Sequence, residues 1–151
     1  MTPEELPAHI GQEIARSAWV PVSQERVNAF AQATGDHQFI HVDPERAAAG
    51  PFGAPIAHGF LTLSLLAGEF SVQGGGVKIE NSRLTVNYGL NKVRFVAPVR
   101  VGSRVRGAFV LASAKTKEDG SRTELVYDIT VEIDGEDKPA LIAQWIRVAM
   151  F

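Results

Sequence analysis

The sequence predicts an α+β protein in which an antiparallel sheet curls around one central helix. Two observations lead to this fold class. The segment "HGFLTLSLLAGEF", residues 58–70, has the length of a helix and apolar residues on nearly every side, so we expect a helix that is buried all round. From about residue 82 apolar side chains recur at every second position, most regularly in "RTELVYDITVEI", which is typical of strands that cover a core on one face.

The elements before the central helix are marked by capping residues. Residues 12–20 can supply a first strand. A short amphipathic helix is predicted to follow, with Ser23 as its N-cap and Gly35 just past its end. Asp43 before Pro44 is a typical start of a further short helix.

After the central helix, the glycines at 74–76 predict a flexible connection, and four strands follow. The turn sequences "KEDGS" and "DGEDK" predict hairpins between them. The predicted strands lie around residues 83–96, 104–116, 122–133 and 140–150. With no linker or repeat in the chain, residues 1–151 are expected to form one domain. Because one such sheet leaves edges unpaired, we also expect self-association.

Composition excludes several classes of function. The net charge of −2 and the interspersed charges provide no patch for a nucleic acid backbone. The absence of cysteine excludes disulfides, thiolate zinc sites and a cysteine nucleophile. The N-terminal residues do not resemble a secretory signal, and no apolar stretch has membrane-spanning length. We therefore expect a cytoplasmic protein that binds neither nucleic acid nor membrane.

The stretch "GDHQFIH", residues 35–41, contains the residues best suited to acid–base chemistry. Asp36 follows a helix-ending glycine, where an aspartate is commonly a turn residue. His41 lies in a segment that looks extended, where a histidine is commonly a structural hydrogen-bonding group. Together, however, the carboxylate and the imidazole can converge on one water molecule. Both interpretations are open on the spacing alone.

Gly59 opens the predicted central helix, and the preceding His58 is expected to pack or to cap it. A glycine at a helix N-terminus allows a ligand to approach N–H groups that favour developing negative charge, as in an oxyanion hole. Close packing would explain the glycine equally well. No metal-binding pattern such as His-x3-His is present, so we predict no metal site and no bound cofactor.

The stretch "GDHQFIHVDPERAAAGPFGAPIAHGFLTLSLL" resembles the MaoC-like family of (R)-specific enoyl-CoA hydratases and dehydratases. The family signature is Asp-x-Asn-Pro-aliphatic-His-x-Asp, followed by a His-Gly pair that opens the central helix, and the similarity continues in "VNYGLNKVRFVAPVRVGSRV". The resemblance implies a hot-dog fold, in which a curved antiparallel sheet wraps a long helix, and a homodimer. It also implies that Asp36 and His41 are the catalytic pair and that the Gly59 N–H binds the thioester carbonyl oxygen.

The sequence departs from the family pattern at two places. Gln38 and Phe39 replace Asn-Pro, although the glutamine amide can still brace the loop, and Ala67 replaces a serine that is often found in the central helix. Further substrate-binding residues are predicted near the site, and an apolar acyl pocket is expected beside Phe39, Phe52 or Phe60, with Phe60 more typical of a core residue. The predicted substrate-binding set is Gln38, Phe39, His58, Tyr88, Asn91 and Arg94.

The predicted reaction is the reversible hydration of a trans-2-enoyl thioester to the (R)-3-hydroxyacyl thioester. The substrate would carry coenzyme A or an acyl carrier protein, and coenzyme A would enter only as part of the substrate. Two alternatives are a hot-dog thioesterase, which would release a thiol, and a non-catalytic subunit that binds acyl thioesters. The altered turn at Gln38 and Phe39 is the best reason to consider the second alternative.

Overall fold

A six-stranded antiparallel sheet forms most of the computed structural model, which describes residues 1–151. The strand order is β1-β4-β5-β6-β3, and the short β2 also pairs with β4. The last four strands were predicted to within two residues at either end, because alternation and turn residues are local signals. The strands are β1 (Glu13–Arg16), β2 (Val20–Pro21), β3 (Leu84–Phe95), β4 (Arg104–Thr116), β5 (Arg122–Ile133) and β6 (Leu141–Met150).

One face of the sheet carries the hydrophobic core. Along β5 every second side chain is buried, from Thr123 to Ile133. Phe109, Tyr127 and Trp145 pack on this face with ring centroids 6.1–6.5 Å apart. The burial of each large apolar side chain contributes ~1.5–3 kcal/mol, so this face stabilises the whole fold. The predicted α+β class is confirmed.

Four α-helices precede β3, and the predicted caps of the first and third are present. They are α1 (Gln24–Thr34), α2 (Phe39–Val42), α3 (Pro44–Ala48) and α4 (Gly59–Ser64). The Ser23 side chain accepts a hydrogen bond from the Arg26 N–H. Gly35 ends α1 in the left-handed conformation, with φ of 79°. The Asp43 side chain caps α3 in the same way, by accepting a hydrogen bond from the Arg46 N–H at 3.1 Å.

The central helix is shorter than predicted. Its regular part ends at Ser64, after which the Leu66 N–H bonds to the Leu63 carbonyl and the Phe70 N–H to the Leu65 carbonyl. The first bond spans three residues and the second spans five, whereas a bond in an α-helix spans four. This irregular segment leads into a π-helical turn over Ser71–Gly75. The glycines at 68 and 74–76 favour the irregular path, because glycine is a poor helix former.

The prediction that this segment is buried on every side is wrong for the single chain. Leu61, Leu65 and Phe70 are buried in the core, but Phe60 is 70% exposed rather than a core residue. Ser64 and Ala67 are exposed as well. None of the helices is both long enough and apolar enough to cross a lipid bilayer.

Candidate active site

Asp36 lies in the turn that follows α1. Because Gly35 takes the left-handed conformation, the chain reverses there and Asp36 begins a new segment. One carboxylate oxygen of Asp36, Oδ1, accepts a hydrogen bond from the main-chain N–H of Gln38 at 3.3 Å. The residue is exposed. Its carboxylate is therefore oriented by the turn while it remains accessible to water and ligands.

His41 lies on the short helix α2 and not in an extended segment, so that expectation was wrong. The side chain is only 6% exposed. Its Nδ1 lies 2.7 Å from the Ile56 carbonyl oxygen. A carbonyl can only accept, so Nδ1 carries the hydrogen, and the Nε2 of the neutral imidazole is left with a lone pair. Gln24 on α1 anchors the main chain here by donating from Nε2 to the His41 carbonyl at 2.7 Å.

The segment from Ile56 to Gly59 supplies the other wall of the site. Ile56 provides the carbonyl that orients His41, and His58 lies with its ring stacked on His41, at 3.9 Å between centroids and 24° between planes. The His58 Nε2 lies 3.0 Å from the main-chain oxygen of Asp36. His58 is 2% exposed and its side chain makes no capping hydrogen bond to α4. The predicted capping role is wrong and the side chain packs instead, which leaves little surface for the predicted substrate contact.

One polar side-chain atom from each of Asp36, His41 and His58, a carboxylate oxygen or a ring nitrogen, lies within 4.8 Å of the other two. Two hydrogen bonds of about 2.7 Å each span up to ~5.4 Å, so one water molecule can bridge the carboxylate and an imidazole. The stacked rings are less suited to a metal ion. Their lone pairs lie in nearly parallel planes, and one nitrogen of each ring is already bonded to a main-chain carbonyl.

Gly59 borders an apolar cavity of about 260 Å³. A Cβ atom at Gly59 would lie 3.0 Å from two carbons of the Phe95 ring, so close packing alone accounts for a glycine here. Phe52 lines this cavity as predicted, but Phe39 and Phe60 do not. The lining residues are Phe52, Ile56, Ala57, Gly59, Thr62, Phe95, Val96, Ala97, Pro98, Val99 and Ala140.

The turn in which Gln38 and Phe39 replace the Asn-Pro of the family signature is held by main-chain atoms. It is the main-chain N–H of Gln38, and not its side-chain amide, that binds the Asp36 carboxylate. The guanidinium of Arg46 stacks over the Phe39 ring, 4.1 Å from the ring centroid. Phe39 therefore packs on α3, and its predicted contact with the acyl group has no cavity to support it.

The structure does not bring the three predicted residues of β3 to the Asp36–His41 pair. Asn91 donates to Gln144 on the outer face of the sheet at 2.6 Å. Arg94 pairs with Ile142 on that same face and donates to the Val93 carbonyl. Tyr88 is 64% exposed. The alternation of β3 is broken by irregularities between 87 and 89 and between 90 and 92, which were not predicted from the residue pattern.

Several residues of the site were not identified from the sequence. The Ile56 carbonyl and Gln24 orient His41, but neither a main-chain oxygen nor a lone glutamine forms a recognisable motif. A second apolar cavity of about 280 Å³ lies between α4 and the sheet beside Trp145. Ala67, the position where the family often has serine, lines this cavity.

Comparison with known proteins identifies the family. Residues 5–133 match the family described as "MaoC like domain". The chain is 51% identical to nodulation protein N of Rhizobium leguminosarum bv. viciae over 149 residues, which cover 97% of this chain and 90% of that protein. It is also 51% identical to 3-hydroxyacyl-thioester dehydratase Z of Mycobacterium tuberculosis over 142 residues, or 94% of this chain and 91% of the relative.

A solved structure agrees with these sequence matches. The (R)-hydratase from A. caviae involved in PHA biosynthesis superimposes with a TM-score of 0.69 and 27% identity, covering 94% of this chain and 96% of the other. The chain belongs to the MaoC-like dehydratase family and has the hot-dog fold. Within that family it is a hydro-lyase, an enzyme that adds or removes water.

Proposed function

We propose that the protein catalyses the reversible hydration of a trans-2-enoyl thioester to the (R)-3-hydroxyacyl thioester at Asp36 and His41. The observation that carries this proposal is the convergence of an accessible carboxylate and an oriented imidazole, with one polar side-chain atom of each within 4.8 Å of the other. The relative named 3-hydroxyacyl-thioester dehydratase Z supports the thioester class.

In the proposed mechanism one water molecule donates its two hydrogens to the Asp36 carboxylate and to the His41 Nε2. The Nδ1–H bond to the Ile56 carbonyl supports this arrangement, because it leaves Nε2 free to accept. The water oxygen then faces C3 of the enoyl group. One member of the pair takes a proton from this water as the C3–O bond forms, and the proton taken from the water then passes from the pair to C2 on the same face of the substrate, which returns the pair to its starting state.

Gly59 is proposed to stabilise the enolate that develops at the thioester oxygen. It is the first residue of α4, and the first N–H groups of a helix have no partner within the helix. It also follows directly after His58, which contacts both members of the pair. A donor that acts where charge develops contributes ~3–4 kcal/mol to the barrier in known oxyanion holes.

The apolar cavity beside Gly59 is proposed to receive the acyl chain. It reaches from Gly59 to Ala140, and Ile56 connects it to the orienting bond of His41. Addition of water to a double bond needs neither a redox group nor a group carrier. The proposal therefore requires no cofactor besides the coenzyme A or acyl carrier protein that the substrate brings.

Crotonyl-CoA provides the test of this reaction class. We expect the ultraviolet absorbance of the conjugated enoyl thioester to fall on addition of the purified protein, with no thiol detected by a thiol reagent and with (R)-3-hydroxybutyryl-CoA as the product. Stoichiometric thiol release would instead identify a thioesterase. Saturable binding without turnover, repeated with longer enoyl chains, would identify a binding subunit.

We further propose that the protein is a homodimer built on β3. This strand is an edge of the sheet, so its outward N–H and C=O groups have no partner strand. Its apolar side chains Leu84, Tyr88 and Leu90 are 48%, 64% and 42% exposed. A second copy of the chain that pairs with β3 would cover both the unpaired main-chain groups and these exposed side chains. Light scattering should give twice the chain mass, and Leu90→Lys should shift the protein towards monomer, whereas Lys115→Glu on a paired strand should not.

A further inference from the structure

His58 contacts both members of the proposed catalytic pair while it is itself nearly inaccessible. Its ring covers one face of the His41 ring, at 3.9 Å between centroids. Its Nε2 binds the main-chain oxygen of Asp36 at 3.0 Å. Phe30 on α1 packs against it with ring centroids 4.8 Å apart. At 2% exposure, with Nε2 bonded to the Asp36 main-chain oxygen and Nδ1 buried, His58 presents no free polar atom to a bound substrate.

The second nitrogen of His58 shows that packing alone does not explain this residue. Because the Asp36 carbonyl only accepts, Nε2 carries the hydrogen and Nδ1 has a lone pair. That Nδ1 is buried and has no hydrogen-bond partner. An unsatisfied buried polar atom is destabilising because it has lost its hydrogen bonds to water, and a phenylalanine at the same place would avoid that loss. The histidine therefore lowers the stability of the folded chain at this position, and its Nε2–H is the group that an apolar ring lacks.

We propose that His58 is a positioning residue for the hydration reaction: its ring fixes the plane of His41, and its Nε2–H fixes the chain at Asp36. The inference rests on the proposed function and extends it. A single hydrogen bond, such as the one from His41 Nδ1 to Ile56, tolerates about 30° of misalignment. Contact with the flat His58 ring narrows the range of orientations open to the His41 ring. The bond from His58 to the Asp36 main-chain oxygen sets the distance between the Asp36 carboxylate and the His41 imidazole.

Three variants separate the two contacts. His58→Phe keeps a ring that can stack and loses the donor, His58→Gln keeps a donor and loses the ring, and His58→Ala loses both. Because a misplacement of about 1 Å can lower a rate by ~10²-fold, we expect kcat of His58→Ala to fall about 10²-fold while KM changes little. The phenylalanine and glutamine variants should each recover part of that loss. His37→Ala, at an exposed neighbouring position, serves as the control.

A spectroscopic measurement tests the inference independently of turnover. In protein labelled with ¹⁵N at the histidine rings, His41 should be held as the Nδ1–H tautomer in the wild type and in His37→Ala. In His58→Ala it should become a mixture of tautomers, while urea denaturation shows that the variant remains folded. If the wild type hydrates no enoyl thioester but the His41 signal still changes, the proposed reaction fails and the positioning role stands.

Two outcomes would overturn the inference itself. One is an unchanged His41 tautomer and an unchanged kcat in folded His58→Ala. The other is a loss of activity in all three variants that follows only their loss of folded protein, which would reduce His58 to a structural residue.

Discussion

Raising the pH above 10 should destabilise the protein through one buried tyrosine. Tyr127 is 2% exposed, and its hydroxyl has no hydrogen-bond partner. Burial raises the pKa of Tyr127 from 10.0 to about 12, although the guanidinium of Arg147 opposes the shift. The tyrosinate is therefore disfavoured in the folded protein, whereas the unfolded chain ionises near the ordinary value.

The magnitude follows from proton linkage. The folded state binds the proton more tightly, so its stability contribution is fully present below pH 10 and is lost as the pH rises to 12. At pH 11 the loss amounts to ~1.4 kcal/mol, and above pH 12 it approaches ~2.7 kcal/mol, since each pKa unit corresponds to about 1.36 kcal/mol. Other groups also titrate in this range, so a matched variant is required.

Urea denaturation followed by circular dichroism at pH 8 and pH 11 measures the effect. Tyr127→Phe should be at least as stable as the wild type at pH 8, because it removes an unsatisfied hydroxyl. At pH 11 it should exceed the wild type by a further ~1.4 kcal/mol. Ile129→Val, at a neighbouring buried position of β5 that has no ionisable group, should keep the wild-type pH dependence. A constant difference between wild type and Tyr127→Phe at both pH values would refute the reasoning.

Two further predictions concern stability. A Cβ atom at Gly75 would lie 2.5 Å from a carbon of the Phe109 ring, so Gly75→Ala should destabilise the protein by ~1–3 kcal/mol in urea denaturation. Burial raises the pKa of Glu132, but hydrogen bonds from Arg106 and Arg16 outweigh it, and the net pKa is below the ordinary 4.5. Stability should therefore fall as the pH drops below 4.5, and Glu132→Gln should weaken that dependence.

Each of these two predictions has a matched control. A Cβ atom at Gly68 would lie 3.6 Å from the Ser64 carbonyl oxygen, which is an ordinary contact, so Gly68→Ala should leave stability nearly unchanged. An equal loss in both alanine variants would contradict the packing explanation. Glu118→Gln alters an exposed carboxylate and should keep the acid dependence of the wild type. The explanation for Glu132 would be wrong if both glutamine variants showed the same acid profile.

The sheet could be predicted because its signals are local. Alternation in 122–133 reappears as the buried positions of β5, and the caps at Ser23 and Asp43 require only residues three positions away. The end of α4 was not predictable from hydrophobicity, because it depends on how the chain bonds after Ser64. Exposure of Phe60 could not be predicted either, since it depends on what covers α4.

Only part of the candidate site was visible in the sequence. Asp36 and His41 were selected by residue type and spacing, and the structure places their polar atoms together. The bond from His41 to Ile56 joins residues 15 positions apart through a main-chain oxygen, which leaves no trace in residue identity. Unbroken alternation would place positions 91 and 94 on opposite faces of β3, whereas the irregularities on either side of Leu90 put both side chains on the outer face. Such irregularities depend on the pairing with β6.

The most direct test of the central proposal is the kcat/KM for crotonyl-CoA hydration of the wild type, Asp36→Asn and His41→Gln, with His37→Gln as the exposed control. Each change in the pair should lower the value by ~10²–10⁴-fold, and the double variant should be little worse than either single variant because the two groups hold one water. The control should match the wild type. A folded Asp36→Asn or His41→Gln protein that hydrates crotonyl-CoA at the wild-type rate would contradict the account.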